Sequence, residues 1–304
     1  MSLIAAAPLV AQPVAPNTRL IAVSLFAVYV IWGSTYYAMR VVVESVPPFF
    51  MAGVRFVIAG SAMLLFLRLR GAALPTRREW FSASAVGCLM FVLGNGTVAF
   101  AERHISSGIA AVVCGTMPLW AAGLGPFFGE RPSRREVIGL VVGFLGVAVL
   151  SFGDGLTANP VSAVLLMLAP VSWALGSLLA RRLPMPKGPM SAAAQMLTGG
   201  VAMAVLSQLV GEQVPAVIPG RAIWAWVYLG IFGSLIAYTA YTYLLRVTRP
   251  ALATSYSYVN PMIAVLVGAA IGGEHLGPEM FVALLLIVCA TVLVVLKPAK
   301  PQLA

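Results

Sequence analysis

The chain has 304 residues, of which 61% are hydrophobic and only 9% are charged. A soluble domain of this length cannot bury so much apolar surface, so the composition indicates a polytopic membrane protein. The formal net charge of +10 does not indicate a nucleic-acid partner, because the basic residues cluster in short loops between apolar segments.

Apolar segments follow one another along the chain, each close to the ~20 residues that a helix needs to cross a bilayer. We predict ten spans, at residues 20–40, 49–68, 80–102, 105–128, 136–153, 161–180, 190–210, 222–245, 250–272 and 279–296. Residues 1–19 contain three prolines and are predicted to be a mobile N-terminal tail, and residues 298–304 a C-terminal tail.

The loops predict the orientation of the chain. Most of its 19 Lys and Arg residues fall on one side of the membrane if the N-terminus is placed inside the cell. Because cytoplasmic loops carry the excess of positive charge, both termini are predicted to be cytoplasmic. The expected location is the inner (plasma) membrane of the cell, as a multi-pass protein.

The second half of the chain repeats the first. Trp32 recurs 141 positions later as Trp173, and Pro118 recurs 143 positions later as Pro261. Each half contains five spans, an odd number, so the second half must enter the membrane upside down. Duplication with inversion is a recurring architecture of secondary transporters.

The repeat predicts an all-α membrane protein. We expect ten transmembrane helices, arranged as two inverted five-helix repeats around a central cavity. The first repeat covers residues 20–153 and the second covers residues 161–297.

No motif indicates an enzyme, a cofactor or a metal site. The sequence contains neither HExxH nor a P-loop, and its three cysteines lie in apolar segments without metal-ligand spacing. All nine acidic residues fall at the ends of spans or in loops. Ion-coupled carriers commonly place a carboxylate deep in the membrane, so we expect a facilitator driven by the substrate gradient.

Three short motifs connect the sequence to a known family. They are IWGS at Ile31 to Ser34, VRF at Val54 to Phe56, and a proline followed by GE in spans 4 and 9. Together with the repeat, this pattern resembles the EamA family of the drug/metabolite transporter superfamily, over nearly the whole chain. Within that family the chain is most similar to YddG-type bacterial exporters of aromatic amino acids. The resemblance implies a cavity lined by spans 1 to 4 and 6 to 9, with spans 5 and 10 at the periphery.

Arg55 is the charged residue that lies well inside a span. Burying an arginine in a membrane helix costs at least ~2.5 kcal/mol, so its side chain should face a cavity or a partner. Two hypotheses follow. The guanidinium binds a substrate carboxylate, or it forms a structural ion pair with Glu102 or Glu44.

Polar and aromatic side chains of the inner spans are predicted to bind an amphipathic solute. The predicted binding residues are Trp32, Arg55, Asn95, Thr97, Met117, Trp120, Trp173, Tyr238, Tyr241, Tyr258 and Asn260. Hydrogen bonding between helices is the alternative role for the polar members. Pro118 and Pro261 are predicted hinges, because proline removes a backbone hydrogen bond and kinks a membrane helix.

The predicted function is a secondary transporter that exports small amphipathic metabolites, above all amino acids including aromatic ones, by alternating access. The alternatives are an exporter of drugs or other metabolites, and a lipid flippase or assembly subunit. The expected partners are a small-molecule substrate and membrane lipid. A GxxxG motif at Gly139 and Gly143 is compatible with a monomer or a weak dimer.

Overall fold

The computed structural model describes residues 17–129, 133–150, 159–248, 250–253, 255–274 and 277–295. All regular secondary structure in these ranges is helical. Apart from residues 17–19, the two predicted tails lie outside the described residues.

We label the helices α1 to α10 in chain order. They are α1 Thr18–Val43, α2 Pro48–Leu69, α3 Arg77–Ala101, α4 Ser107–Phe128, α5 Arg134–Leu150, α6 Pro160–Ala180, α7 Pro189–Leu209, α8 Gly220–Leu244, α9 Tyr256–Gly272 and α10 Pro278–Val295. Within the described ranges, seven helices are long and apolar enough to cross a membrane, namely α1 to α4 and α6 to α8. Helices α5, α9 and α10 contain shorter apolar stretches. The chain is therefore a helical membrane protein.

Local sequence signals explain where several helices begin. At the start of α3, the Thr76 hydroxyl accepts a hydrogen bond from the Glu79 amide, and the Glu79 carboxylate accepts one from the Thr76 amide. This capping box satisfies two amides that have no partner inside the helix. Helices α2 and α7 begin with Pro48 and Pro189, because the first helical position needs no amide hydrogen.

Three helices contain π-helical segments, which the sequence did not lead us to expect. These are Val28–Trp32 in α1, Cys88–Gly96 in α3 and Leu229–Ala237 in α8. The second and third lie in the equivalent helices of the two halves, and they overlap when the halves are aligned at the offset of 143 residues that relates Pro118 to Pro261. Single π-helical turns are rare and frequently lie at functional sites.

The two predicted hinge prolines have different surroundings. Helix α4 is interrupted, since its first segment ends at Cys114 and its second begins at Met117. Pro118 is the second residue of that second segment, where a missing amide hydrogen leaves no intrahelical acceptor unpaired. Pro261, in contrast, lies inside the continuous helix α9. The proline of α4 thus follows a break in the helix, whereas the proline of α9 sits within one.

Helices α2 and α7 pack closely and run in opposite directions. A Cβ atom added to Gly53 would lie 2.8 Å from the backbone nitrogen of Ala204, and one added to Gly60 would lie 2.5 Å from that of Leu197. The residue number of the contacting position in α7 falls as the residue number in α2 rises, so the two helices are antiparallel. Glycine lets the two backbones approach this closely.

Helices α5 and α10 pack on each other at the side of the bundle. Gly143 and Gly146 of α5 face Ala290 and Ile287 of α10. One glycine of the predicted dimer motif, Gly143, is therefore used in packing inside the chain.

The glutamates that follow the last residues of α1, α3, α7 and α9 lie at one end of the bundle, which we call the glutamate end. They are Glu44, Glu102, Glu212 and Glu274. Glu212 accepts hydrogen bonds from the amides of Phe49 and Phe50, at 3.1 and 2.7 Å. Glu274 accepts from the Ser107 amide at 2.9 Å and from the Ser107 hydroxyl at 2.7 Å. These carboxylates cap the N-termini of α2 and α4, where the helix dipole favours negative charge. Each cap also joins the two halves of the chain.

Candidate functional site

A cavity of about 110 Å³ lies among the helices. A water molecule needs about 10–15 Å³ on this scale, so the cavity has room for a small metabolite rather than an extended molecule. Seven of the predicted binding residues line it: Trp32, Arg55, Asn95, Met117, Trp173, Tyr238 and Asn260.

Two predicted binding residues have other contacts. The Thr97 hydroxyl donates a hydrogen bond to the Leu93 carbonyl within its own helix, at 2.6 Å. Trp120 packs edge-to-face on Phe144 of α5, with ring centroids 5.1 Å apart. Neither residue lines the cavity.

Tyr241 lies one layer behind the cavity, and its ring packs on Trp32 with centroids 5.1 Å apart. It therefore supports a lining residue without lining the cavity itself. The side chain of Tyr258, also predicted to bind substrate, lies outside the described part of the structure.

The cavity is built on the internal repeat. Four pairs of equivalent positions, 141 or 143 residues apart, both face it: Trp32 with Trp173, Phe91 with Ser234, Asn95 with Tyr238, and Met117 with Asn260. Phe91 and Ser234 were missed by the sequence analysis. The offset of 143 found for the prolines was the signal that could have identified them.

Arg55 lies in the cavity wall with only 7% of its surface exposed. Its Nε atom donates a hydrogen bond to the Ser234 hydroxyl at 2.9 Å, and its guanidinium carbon lies 4.2 Å from the centroid of the Phe56 ring. Across the described residues, the ion pair formed within 4.0 Å is Arg40 with Glu44. Arg55 thus has neither of the carboxylate partners that the sequence suggested.

Aromatic rings form one wall of the cavity. Trp32 is at the centre of this cluster, with ring centroids 6.0 Å from Trp173, 6.3 Å from Tyr238 and 5.1 Å from Tyr256. Such rings offer flat apolar faces together with hydroxyl and indole donors. The wall therefore suits a flat, partly polar solute.

The π-helical segments position several of these side chains. Trp32 is the last residue of the segment in α1, and its indole N–H donates to the Gly233 carbonyl in the segment of α8, at 3.1 Å. Ser234, the partner of Arg55, comes next in that segment. Phe91 and Asn95 lie in the equivalent segment of α3. Irregular backbone inside a membrane protein is tolerated where it lines a cavity.

The two asparagines of the cavity differ in their partners. Asn260, with its amide oriented to suit its neighbours, donates to the carbonyls of Tyr29 at 3.0 Å and Tyr256 at 3.3 Å. It therefore joins α1 to α9, which is the interhelical role. The side-chain oxygen of Asn95 is buried and has no hydrogen-bond partner. A buried acceptor of this kind can bind a donor group of a ligand.

Within the described ranges, no group of three or more His, Cys, Asp or Glu residues is placed to hold a metal ion.

The chain resembles known proteins over nearly its whole length. A model of the EamA-like transporter family matches residues 19–152 and again residues 161–296. The uncharacterized inner membrane transporter YedA of Escherichia coli K12 is 45% identical, over 92% of this chain and 94% of that protein. Protein PecM of Dickeya dadantii is 24% identical, over 88% of this chain and 91% of that protein. A solved crystal structure has the same fold, with a TM-score of 0.64 at 22% identity over 91% of this chain and 96% of its own.

Proposed function

The chain belongs to the EamA-like transporter family, and on this premise we propose that it exports small amphipathic metabolites by alternating access. The proposed substrates are amino acids, including aromatic ones, as for YddG-type exporters. We place it in the inner membrane, in agreement with the description of its relative at 45% identity. Family membership indicates transport rather than catalysis.

The observation that carries the proposal is that Arg55 is buried in the cavity wall without a carboxylate partner. A guanidinium has five N–H donors, and the described hydrogen bond of Arg55 engages only its Nε atom. A buried arginine without a carboxylate partner is costly in a membrane. A substrate carboxylate would supply the missing charge and accept two parallel hydrogen bonds from the terminal nitrogens.

The rest of the cavity fits the other parts of an amino acid. The buried Asn95 oxygen is an acceptor for the ammonium group, which is a donor only. The aromatic cluster around Trp32 provides flat apolar surface for the side chain of the substrate. A cavity of about 110 Å³ is more compatible with such a metabolite than with a large drug.

We further propose the ten-helix layout with two inverted repeats and cytoplasmic termini, which puts the glutamate end outside the cytoplasm. The double match of the family model supports the duplication. The antiparallel packing of the equivalent helices α2 and α7 supports the inversion. In alternating access, such halves exchange conformations around a fixed central site.

The proposed carrier is a facilitator. The residues described as lining the cavity include no aspartate or glutamate, and ion-coupled carriers commonly need a carboxylate there. Uptake by proteoliposomes should therefore continue when an ionophore abolishes the proton gradient.

Transport by purified protein in liposomes tests the proposal. Wild-type protein should move labelled L-tryptophan and should prefer it to tryptamine, which lacks the carboxylate. Arg55→Gln should weaken L-tryptophan transport by about 10- to 100-fold, because it removes charged hydrogen bonds, and should abolish the preference. The matched control is Arg103→Gln, which alters an exposed arginine.

Other outcomes separate the alternatives. Transport of tryptamine and other cations, but of no amino acid, would favour a drug exporter. Movement of labelled lipid alone would favour a flippase, and no movement of any solute would favour an assembly subunit.

A further inference from the structure

One carboxyl group of the protein, that of Glu102, lies outside the cavity and has an unusual environment. Glu102 follows Ala101, the last residue of α3, at the glutamate end. Its exposed fraction is 0%, and both of its carboxylate oxygens are buried without a hydrogen-bond partner. Buried polar groups are nearly always hydrogen-bonded, so this carboxyl needs an explanation.

Arg40 does not form an ion pair with the Glu102 carboxyl. Arg40 uses its Nη1 atom to donate to the main-chain carbonyls of Glu102 and Ile105, at 2.6 and 2.7 Å. Its Nε atom lies 4.0 Å from the carboxylate of Glu44. Arg40 therefore fixes the backbone around Glu102 while the Glu102 side chain stays unpaired.

The other ionisable groups near Glu102 come from four packed elements. Arg40 and Tyr36 lie on α1, Arg55 on α2, Cys114 on α4 and Glu274 after α9. None of the described basic groups among them is within 4.0 Å of the Glu102 carboxylate. Tyr36, Arg55 and Cys114 also line the cavity, so Glu102 lies between the cavity and the capped end of the bundle.

Glu274 is the acidic neighbour of Glu102, and its carboxylate, unlike that of Glu102, has hydrogen-bond partners. Its carboxylate accepts hydrogen bonds from Ser107 and from the Gly108 amide, at 2.7 to 3.2 Å. Hydrogen bonds from several donors stabilise the ionised form. Burial, followed by the charge of Glu274, raises the pKa of the Glu102 carboxyl well above its ordinary value. The two carboxyls therefore differ in their surroundings, since Glu274 has three hydrogen-bond donors and the Glu102 side chain has none.

We propose that Glu102 is a proton-binding site of the gate at the glutamate end, protonated while this end is closed and ionised when it opens. The inference rests on the proposed alternating access. On opening, the O–H bond of the carboxyl breaks and its proton passes to a water molecule of the adjoining solution, which then hydrates the carboxylate. On closing, the proton returns from the same side. No proton crosses the membrane, so the carrier remains a facilitator.

The sign of the pH effect follows from proton linkage. The closed form binds one proton more than the open form, so low pH favours closure and rising pH favours opening. Between the pKa of the open form and that of the closed form, the open-to-closed ratio should rise by about tenfold per pH unit. Below both pKa values the ratio should not depend on pH.

Distance measurements between two spin labels test the gate without any substrate. Cysteines replacing Arg103 and Gln213, exposed after α3 and α7 respectively, would carry the labels in an otherwise cysteine-free protein. In the parent, the population with the longer distance should grow with pH. In Glu102→Gln it should stay at its low-pH level throughout. The control Glu44→Gln removes an exposed carboxyl of the same end and should retain the pH dependence.

Two results would overturn the proposal: a pH-independent distance in the parent, or an unchanged pH dependence in Glu102→Gln. If Glu102→Gln does not fold, infrared spectra of the wild-type protein test whether a buried carboxyl group is protonated. A protonated-carboxyl band should be present at neutral pH and disappear on alkaline titration, and its absence at neutral pH refutes the proposal. A failure to transport amino acids, with the gate still responding to pH, would instead count against the proposed substrate alone.

Discussion

The rings of Trp32 and Trp173 meet at right angles, with centroids 6.0 Å apart and an angle of 88° between their planes. The two residues occupy equivalent positions in the two halves, so each half contributes the same side chain to one contact in the cavity wall. An edge-to-face pair of this kind contributes about 0.5–1.5 kcal/mol beyond the area it buries.

Replacing Trp32 should selectively weaken the recognition of aromatic solutes. We expect Trp32→Leu to raise the KM for L-tryptophan by about tenfold, because the flat surface that packs on the indole is lost. The KM for L-alanine should change little. The measurement is concentration-dependent uptake by proteoliposomes, and the control is Trp224→Leu, since Trp224 is 76% exposed on α8. Equal changes for both amino acids would contradict a role in aromatic selectivity.

The hinge hypothesis for the prolines gives an asymmetric prediction. Pro261 lies inside a continuous helix, so Pro261→Ala should add a backbone hydrogen bond and stiffen α9. Pro118→Ala should have the smaller effect, because Pro118 follows the break in α4 and its new amide would gain no intrahelical acceptor. We expect transport per folded molecule to fall several-fold for Pro261→Ala.

A proline at a helix start provides the control for this comparison. Pro160 is the exposed first residue of α6, and Pro160→Ala should transport normally. If Pro261→Ala folds and transports at the wild-type rate, the proline is a fixed bend that serves packing alone.

The contact between α2 and α7 predicts a stability difference between two glycines. Gly60→Ala should lower the free energy of unfolding by about 1–3 kcal/mol, because the new Cβ would lie 2.5 Å from the backbone of Leu197. Gly230→Ala should not destabilise, since a Cβ there meets nothing within 4 Å. Thermal unfolding of both variants in detergent measures the difference. Similar melting temperatures would mean that α2 and α7 do not approach this closely.

The proposed inversion predicts which loops lie on opposite sides of the membrane. Because α2 and α7 are antiparallel, the residues that follow them should emerge at opposite faces. Single cysteines replacing Ala73 and Gln213, both exposed, should react with an impermeant thiol reagent from the cytoplasmic and the outer side respectively. Labelling of both from one side would refute the inverted layout.

The sequence alone predicted the fold class and much of the cavity. Apolar segments of membrane-spanning length require helices, because only internal hydrogen bonds can satisfy the backbone in lipid. The repeat and the rarity of buried charge then identified Trp32, Trp173 and Arg55, and all three line the cavity. These features can be predicted without knowledge of tertiary contacts, since they depend on residue types and on their positions along the chain.

Only the tertiary structure decided which partners these residues have. The sequence could pair Arg55 with Glu102 or Glu44, and the structure places it against Ser234 and Phe56 instead. Likewise, the sequence predicts Glu102 to be an ordinary residue at the end of a span, yet helix packing leaves it fully buried. Hydrogen-bond partners and burial depend on how distant segments approach each other, and the order of residues along a single helix does not specify that approach.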